Sequence, residues 1–402
     1  MILASNNRHC ETKTFPVGFD RLGQPVRCSE SCFSQTWTQT SAPNTNWNSV
    51  AVSADGNKVV AVAGNPYHSG PIYTSSNMGG TWTQQTGAPF QGWGAVASSA
   101  DGNTLVAESY APYLYASTNS GVTWAQLNDV PGGAVVSMSP NGERLYAADG
   151  QYFYTSTNFG ATWTTNVASG AVSEVCAASS DGSKIVTGGI SGSVYTSTNY
   201  GATWKVGPSS GGWFSVASSA DGSKFAAAPS VPNAGFYVLT STNSGVRWIT
   251  NQTLDNLPVH YLASSTDGNK LVVVGAQSGT NGGGIYTSTN RGISWNTNNV
   301  PLNYWISVAS SADENTLVAA VNGGGIWISY TTPEPFLNIV HSNSNLSFSW
   351  TVPSTNLVLE QSDDLQNWTD VTNAPTLDLT NLQDEVVLSP TNSSGFYRLA
   401  TP

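Results

Sequence analysis

The chain has 402 residues, enough for one large repeat domain or two to three ordinary ones. Only 9% of residues are charged and the formal net charge is −11, which argues against nucleic acid as a partner. No stretch approaches the ~18 consecutive apolar residues of a membrane helix, and the regular placing of apolar and aromatic residues excludes a disordered chain.

Residues 1–33 have no repeat character and read as an irregular N-terminal extension. Met1-Ile2-Leu3-Ala4 lacks the apolar core of a signal peptide, so export calls for a processed start or another route. Cys10, Cys28 and Cys32 crowd this segment. A disulfide from Cys10 to Cys28 or to Cys32 would staple it, whereas a zinc site would need His9 as the fourth ligand. Cys176 falls where the other repeats carry Val or Leu, and is expected in the core.

Two motifs then alternate over residues 34–332. The first is a tight turn at Asp55-Gly56, Asp101-Gly102, Asn141-Gly142, Asp181-Gly182, Asp221-Gly222, Asp267-Gly268 and Asp313-Glu314. Asp-Gly or Asn-Gly between apolar runs is a strong hairpin signal, because both residues tolerate positive φ. The second is Ser-(Ser/Thr)-Asn-x-Gly-x-(Thr/Arg/Ser)-Trp, which carries Asn77 and Trp82, Asn119 and Trp124, Asn158 and Trp163, Asn199 and Trp204, Asn243 and Trp248, and Asn290 and Trp295. A relic stands at Thr36-Trp37-Thr38, and successive tryptophans lie 45, 42, 39, 41, 44 and 47 residues apart. Asparagine in this box can bond the backbone of its own turn, and the tryptophan buries its ring.

A period of roughly 40–45 residues with four short strands suits a propeller blade. Seven turns, with the Trp37 strand completing the last blade, predict an all-β, seven-bladed β-propeller closed by an N-terminal strand. Pro333-Glu334-Pro335 breaks the rhythm as a linker, and residues 333–402 read as short strands of a small C-terminal β-sandwich.

The boxes resemble the BNR or Asp-box repeat of sialidases, sortilin-type domains and photosystem assembly-factor propellers, with Asn where that family usually has Asp. The resemblance spans roughly residues 34–330 and implies architecture more than activity, since the box lies away from the usual ligand face. Sialidases hold a substrate carboxylate with three arginines; Arg144, Arg247 and Arg291 all fall on or near the opposite face, so sialidase activity is not expected. The C-terminal segment, with Leu-Glu-Gln-Ser, Asn-Trp-Thr and Phe-Tyr-Arg-Leu, resembles fibronectin-like modules of secreted bacterial proteins.

Eight residues before each turn stand Trp47, Trp93, Gly133, Ser173, Trp213, Val259 and Trp305. Four tryptophans at equivalent positions near the ligand face suggest aromatic stacking on a sugar or another flat apolar ligand; the alternative is that each wedges between blades. His260, beside Tyr261, is a further candidate ligand-binding or acid–base residue, or a satisfied surface histidine. Glu108, Asp129, Asp149 and Glu174 should share that face in one sector. Glu108, Asp149 and Glu174 are candidate catalytic carboxylates, and the four could gather Ca²⁺.

The sequence thus points to a monomeric, secreted or surface-exposed bacterial propeller that binds a carbohydrate or an extracellular protein on the tryptophan-bearing face, with no cofactor required. The alternative is a polysaccharide-active glycoside hydrolase or lyase using the loop carboxylates.

Overall fold

In a computed structural model the described residues are 36–111, 113–127, 135–148, 152–166, 175–189, 192–209, 212–229, 237–252, 259–275, 282–330, 337–342, 345–351, 358–362, 367–373, 375–378, 383–389 and 396–400. Contacts divide the chain into Gln35–Thr331 and a second unit that includes Thr332–Pro402. The N-terminal extension, with Cys10, Cys28, Cys32 and His9, lies outside the described residues.

Gln35–Thr331 is a β-propeller, and its repeats are built by the two motifs. In the fourth repeat, Val175–Ala178 pairs antiparallel with Ile185–Gly188 across the turn at Asp181. The Asp181 carboxylate accepts from Ser179 Oγ at 2.6 Å and from Ser183 N at 3.0 Å, while Gly182 takes φ 74°. Glu314, at the turn without glycine, is held at φ 60° all the same. The boxes close on themselves in the same way. Thr162 N donates to Asn158 Oδ1 at 2.9 Å, Gly160 N donates to Ser156 Oγ at 2.8 Å, and Gly160 adopts φ 79°.

The turns also bond to one another. Ala54 N donates to Ala100 O, Ala100 N to Pro140 O, Ser180 N to Ala220 O, Ala220 N to Thr266 O, Thr266 N to Ala312 O, and Ala312 N back to Ala54 O, at 2.7–2.9 Å. Pro140 has no N–H to give, so the circuit is interrupted there. Alternate residues of each second strand serve two cores: Val59, Ala61 and Ala63 pack on one side and Val60 and Val62 on the other. That explains why these strands read as unbroken apolar runs.

The count of seven separate blades does not hold. Five discrete four-stranded sheets form, beginning at Trp93–Ser98, Val135–Met138, Val175–Ala178, Trp213–Ser218 and Tyr261–Ser264. The first and last repeats are instead joined in one eight-stranded sheet. The strand Thr316–Gly324 runs past the end of its pairing with Trp305–Ser310, and its tip bonds to Thr45 and Asn46 of Thr45–Val52. Turn and box spacing report hairpins within a repeat and carry no information on pairing between repeats. Thr36–Gln39 pairs antiparallel with Ile326–Tyr330, with Trp37 opposite Ser329.

In the second unit, a four-stranded sheet contains Asn338–Ser342, Asn345–Thr351, Gln383–Leu388 and Thr376–Asp378, and a three-stranded sheet contains Thr369–Asp370, Val358–Ser362 and Phe396–Ala400. Both sheets contribute to one core of Phe348, Trp350, Leu359 and Val386, with the Tyr397 ring 4.4 Å from that of Phe348.

Candidate functional site

Strand register defines the face on which a ligand would meet the loops. Trp93 pairs with Ser109, and Ser109 with Tyr113, whereas Ser98, Leu105 and Ser117 meet at the other end beside the turns and boxes. The starts of inner strands and the loops between second and third strands therefore share one face.

The four tryptophans are on that side but offer it nothing. Trp47, Trp93, Trp213 and Trp305 are each 0% exposed. Trp47 packs edge-on against Tyr73, Trp93 against Tyr115 and Trp305 against Trp327, at 5.3–6.1 Å between centroids. Trp213 and Trp305 also donate their indole N–H to Gly192 O at 3.3 Å and Gly283 O at 2.9 Å. The expected stacking surface is thus corrected: these rings are core, where a repeat position with a large apolar payload is most stable. Each is followed by a break in strand register, between Trp47 and Ser49, Trp93 and Ala95, Trp213 and Ser215, and Trp305 and Ser307. The inserted residue is Asn48, Gly94, Phe214 or Ile306, and a bulge of this kind re-aims a side chain. Asn48 Nδ2 donates to both Gly64 O and Trp93 O at 2.6 Å, tying two repeats together. Phe214 instead lays its ring 4.5 Å from that of His260.

Glu108 is the one candidate carboxylate among the described residues; Asp129, Asp149 and Glu174 lie outside them. Its position, seven places after the turn residue Asp101, is filled elsewhere by Val62, Ala148, Gly188, Ala228, Val274 and Ala320, all buried. Glu108 is itself only 5% exposed and accepts no hydrogen bond among the described residues. Burial pushes its carboxyl up to about 8, because a charge in such surroundings loses its hydration.

Beside it stands Tyr110, which sequence reasoning did not single out. Tyr110 shares the glycine surface of Gly94 with Glu108: a β-carbon built at Gly94 would stand 2.2 Å from Glu108 Oε2 and 3.5 Å from Tyr110 Cζ. Burial, and then the Glu108 charge, raise the Tyr110 phenol. Burial pushes the Tyr261 phenol up to about 12, with further contributions from Tyr304 and Tyr110. Tyr261 is also in edge contact with His260 at 6.4 Å, and burial lowers the His260 imidazole, keeping it neutral at pH 7. Farther out, Tyr67 is 89% exposed, and Phe90, Tyr113 and Tyr152 are exposed at the same ends of their strands. Their signal in the sequence is the reverse of a motif: none recurs at an equivalent place in every repeat.

No group of three or more His, Cys, Asp and Glu able to hold a metal occurs among the described residues, so Ca²⁺ finds no such cluster there. Cys176 packs against Tyr146, Ala148, Phe153 and Ile185, and burial pushes its thiol up to about 12. No described helix is long and apolar enough to cross a membrane.

No family model matches the sequence, and no curated protein matches it. Solved structures do resemble the fold. YCF48 from Cyanidioschyzon merolae superposes with a TM-score of 0.57 at 14% identity, covering 73% of this chain and 98% of its own. YCF48 bound to D1 peptide gives 0.57 and 14%, covering 74% and 97%. The GH74 xyloglucanase from Xanthomonas campestris gives 0.57 and 14%, covering 79% of this chain and 59% of its own. At such identity the likeness establishes the β-propeller alone; one of these folds carries a peptide ligand and another a glycoside hydrolase.

Proposed function

We propose that the chain is a binding propeller that holds a partner protein on its loop face, with tyrosines as the contact residues. The observation that carries this reading is the set of exposed rings, Tyr67, Phe90, Tyr110, Tyr113, Tyr152 and Tyr304, at one end of the strands. Tyrosine joins a large apolar ring to a polar tip at low entropic cost, and so suits a surface that must be wet when free and dry when bound. A propeller of similar fold bound to D1 peptide is consistent with a peptide ligand. The sparse lysines and abundant Ser, Thr and Asn favour a secreted or surface location in a bacterium, and the protein acts as a monomer.

Peptide and glycan arrays probed with the wild-type chain and with a Tyr110→Ser, Tyr304→Ser double variant test this. Peptides retained by the wild type and lost by a variant that melts normally support the reading. Retention of glycans alone moves the ligand to carbohydrate. Equal binding by both proteins refutes the tyrosine face.

A further inference from the structure

Three places after a turn Asp or Asn stands a side chain that can meet the box of the next repeat. Lys58 Nζ donates to Ser120 Oγ at 3.3 Å, and the Arg144 guanidinium lies 5.2 Å over the centre of the Tyr200 ring. Ser120 and Tyr200 hold one box position, the residue after the box asparagine, which is Met78, Phe159 and Ser244 in three further boxes. In the sixth repeat that position is Arg291, and the fifth-repeat residue that corresponds to Lys58 and Arg144 is Lys224. Two junctions thus set a cation against a hydroxyl or a ring, whereas this one sets a cation against a cation.

Lys224 and Arg291 line one cleft of about 10 Å³ between the fifth and sixth repeats, at the turn-and-box end of the strands. Thr240 and Thr242 line it with them, as do the buried Phe225 and Leu271. Thr240 Oγ1 accepts from Asn251 Nδ2 at 2.8 Å, so its own proton remains to be donated. Lys224 Nζ donates to Asp267 O at 2.6 Å, which uses one of its three N–H groups. The Arg291 guanidinium has no hydrogen bond or ion pair among the described residues. The Asp267 carboxylate does not serve it: its oxygens accept from Ser265 Oγ at 2.6 Å, Asn269 N at 2.9 Å and Asn269 Nδ2 at 2.6 Å.

We propose that the Lys224–Arg291 cleft is a site for a phosphate-type dianion, either inorganic phosphate or a small phosphate monoester. It stands at the end of the strands away from the loop face, so it is independent of a partner held there. Two single positive charges match a dianion, with Arg291 offering a planar fork of donors and Lys224 a point charge. The volume admits one water-sized group, so one oxygen enters between the cations and the rest of the ligand stays in solvent. The net charge of −11 repels polyanions and so favours a small occupant. The turn carboxyls that feel the Lys224 charge are Asp221 and Asp267, and both are held below the ordinary carboxylate range. The Ser219 hydroxyl is the chief cause at Asp221; at Asp267 hydrogen bonds from Ser265 and Asn269 outweigh desolvation.

The probes are inorganic phosphate, glycerol phosphate and sulfate, each titrated calorimetrically into the full chain in dilute chloride buffer. A phosphate monoester takes its second charge near pH ~6, so glycerol phosphate should bind about tenfold tighter at pH 8 than at pH 5, while sulfate, a dianion at both, stays level. Arg291→Ser and Lys224→Thr supply residues that other repeats carry at the same places, Ser120 and Ser244 for the first and Thr104 and Thr316 for the second. Each should weaken phosphate by about tenfold or more. Arg291→Ser should melt no lower than wild type in chloride, yet lose the rise in Tm that phosphate gives the wild type. Arg247→Thr, which restores the residue found at Thr81, Thr123, Thr162 and Thr203, removes a charge outside the cleft and should bind as wild type does. Glycerol phosphate bound more tightly than inorganic phosphate assigns the site to a monoester, and the reverse order to the free ion. Equal binding by Arg291→Ser and the wild type overturns the proposal, as does an equal loss in Arg247→Thr. A pH dependence shared by sulfate, or no saturable binding up to about 20 mM, overturns it too.

Discussion

Glu108→Gln should stabilise the protein, and by an amount that grows with pH. In the unfolded chain the carboxyl ionises near 4.5, whereas in the fold it holds its proton to about 8. Between those values the folded state binds more protons, so stability falls as pH rises from 4.5 to 8 and remains low above it. At about 1.36 kcal/mol for each tenfold change in proton affinity, the loss approaches roughly 5 kcal/mol. Gln preserves the shape and has no proton to lose. Relative to wild type it should be near neutral at pH 4 and more stable by up to about 5 kcal/mol at pH 9. In a domain of this size, each kcal/mol moves Tm by about 2 °C, so the difference should reach roughly 10 °C. Thermal melts of both proteins followed by tryptophan fluorescence at pH 4, 6, 8 and 9 measure it. Glu314, whose buried carboxyl is pushed up to about 9, cancels in the comparison, because it lies at the opposite end of the strands. A Tm difference that stays constant from pH 4 to pH 9 would refute this, showing that Glu108 is hydrated or paired.

Trp93→Ala should destabilise the propeller by about 3–5 kcal/mol, lowering the urea midpoint and, in the surviving folded fraction, leaving any ligand affinity unchanged; a variant that melts normally but loses its ligand would return this tryptophan to the binding surface. Glu314→Gly should raise stability by about 1–2 kcal/mol at pH 5, by relieving the left-handed backbone at φ 60°, and by more at pH 8, where the raised carboxyl otherwise resists ionisation. Asn158→Ala removes the acceptor for Thr162 N and should cost about 1–2 kcal/mol in a thermal melt, with no effect on binding, since the box lies at the far end of the strands.

Much of the local fold was legible because its determinants are short in sequence. The turn at Asp181-Gly182 and the box around Asn158 satisfy their own hydrogen bonds within a few residues, so pattern alone locates them. The joining of the first and last repeats was not legible. It depends on Thr45 and Asn46 meeting Gly324 and Asn322 from the far end of the chain, and no local motif encodes that pairing. Glu108 was visible as a rare charge, but its burial was not, and Asp129, Asp149 and Glu174 lie outside the described residues. Tyr110 was passed over because tyrosine is common in this chain, with 16 copies, and its place beside Glu108 depends on the bare backbone of Gly94 on the neighbouring strand.

The tryptophans and Glu108 mislead and inform for the same reason. Duplication copies whatever the fold needs, so a residue recurring at one register, as Trp47, Trp93, Trp213 and Trp305 do, is selected first for packing, and their complete burial follows. A ligand is not copied with the repeats. It meets the ring of repeats once and breaks its symmetry, so the residues that recognise it must be departures from the pattern. Glu108 departs from Val, Ala and Gly, and Gly94 leaves bare a place where Asn48, Phe214, His260 and Ile306 carry side chains, whereas the place of Tyr261 varies, with Ser49, Ala95, Val135, Val175, Ser215 and Ser307 in the other repeats. Those serines accept backbone bonds from a neighbouring repeat, as Ser49 Oγ does from Val96 N at 3.2 Å and Ser215 Oγ from Leu262 N at 3.1 Å. Replacing one by tyrosine, as at Tyr261, or by alanine, as at Ala95, gives up that hydroxyl link. Glu108 is such a departure: its burial weakens the scaffold, and the packing of the described repeats does not call for a carboxyl there.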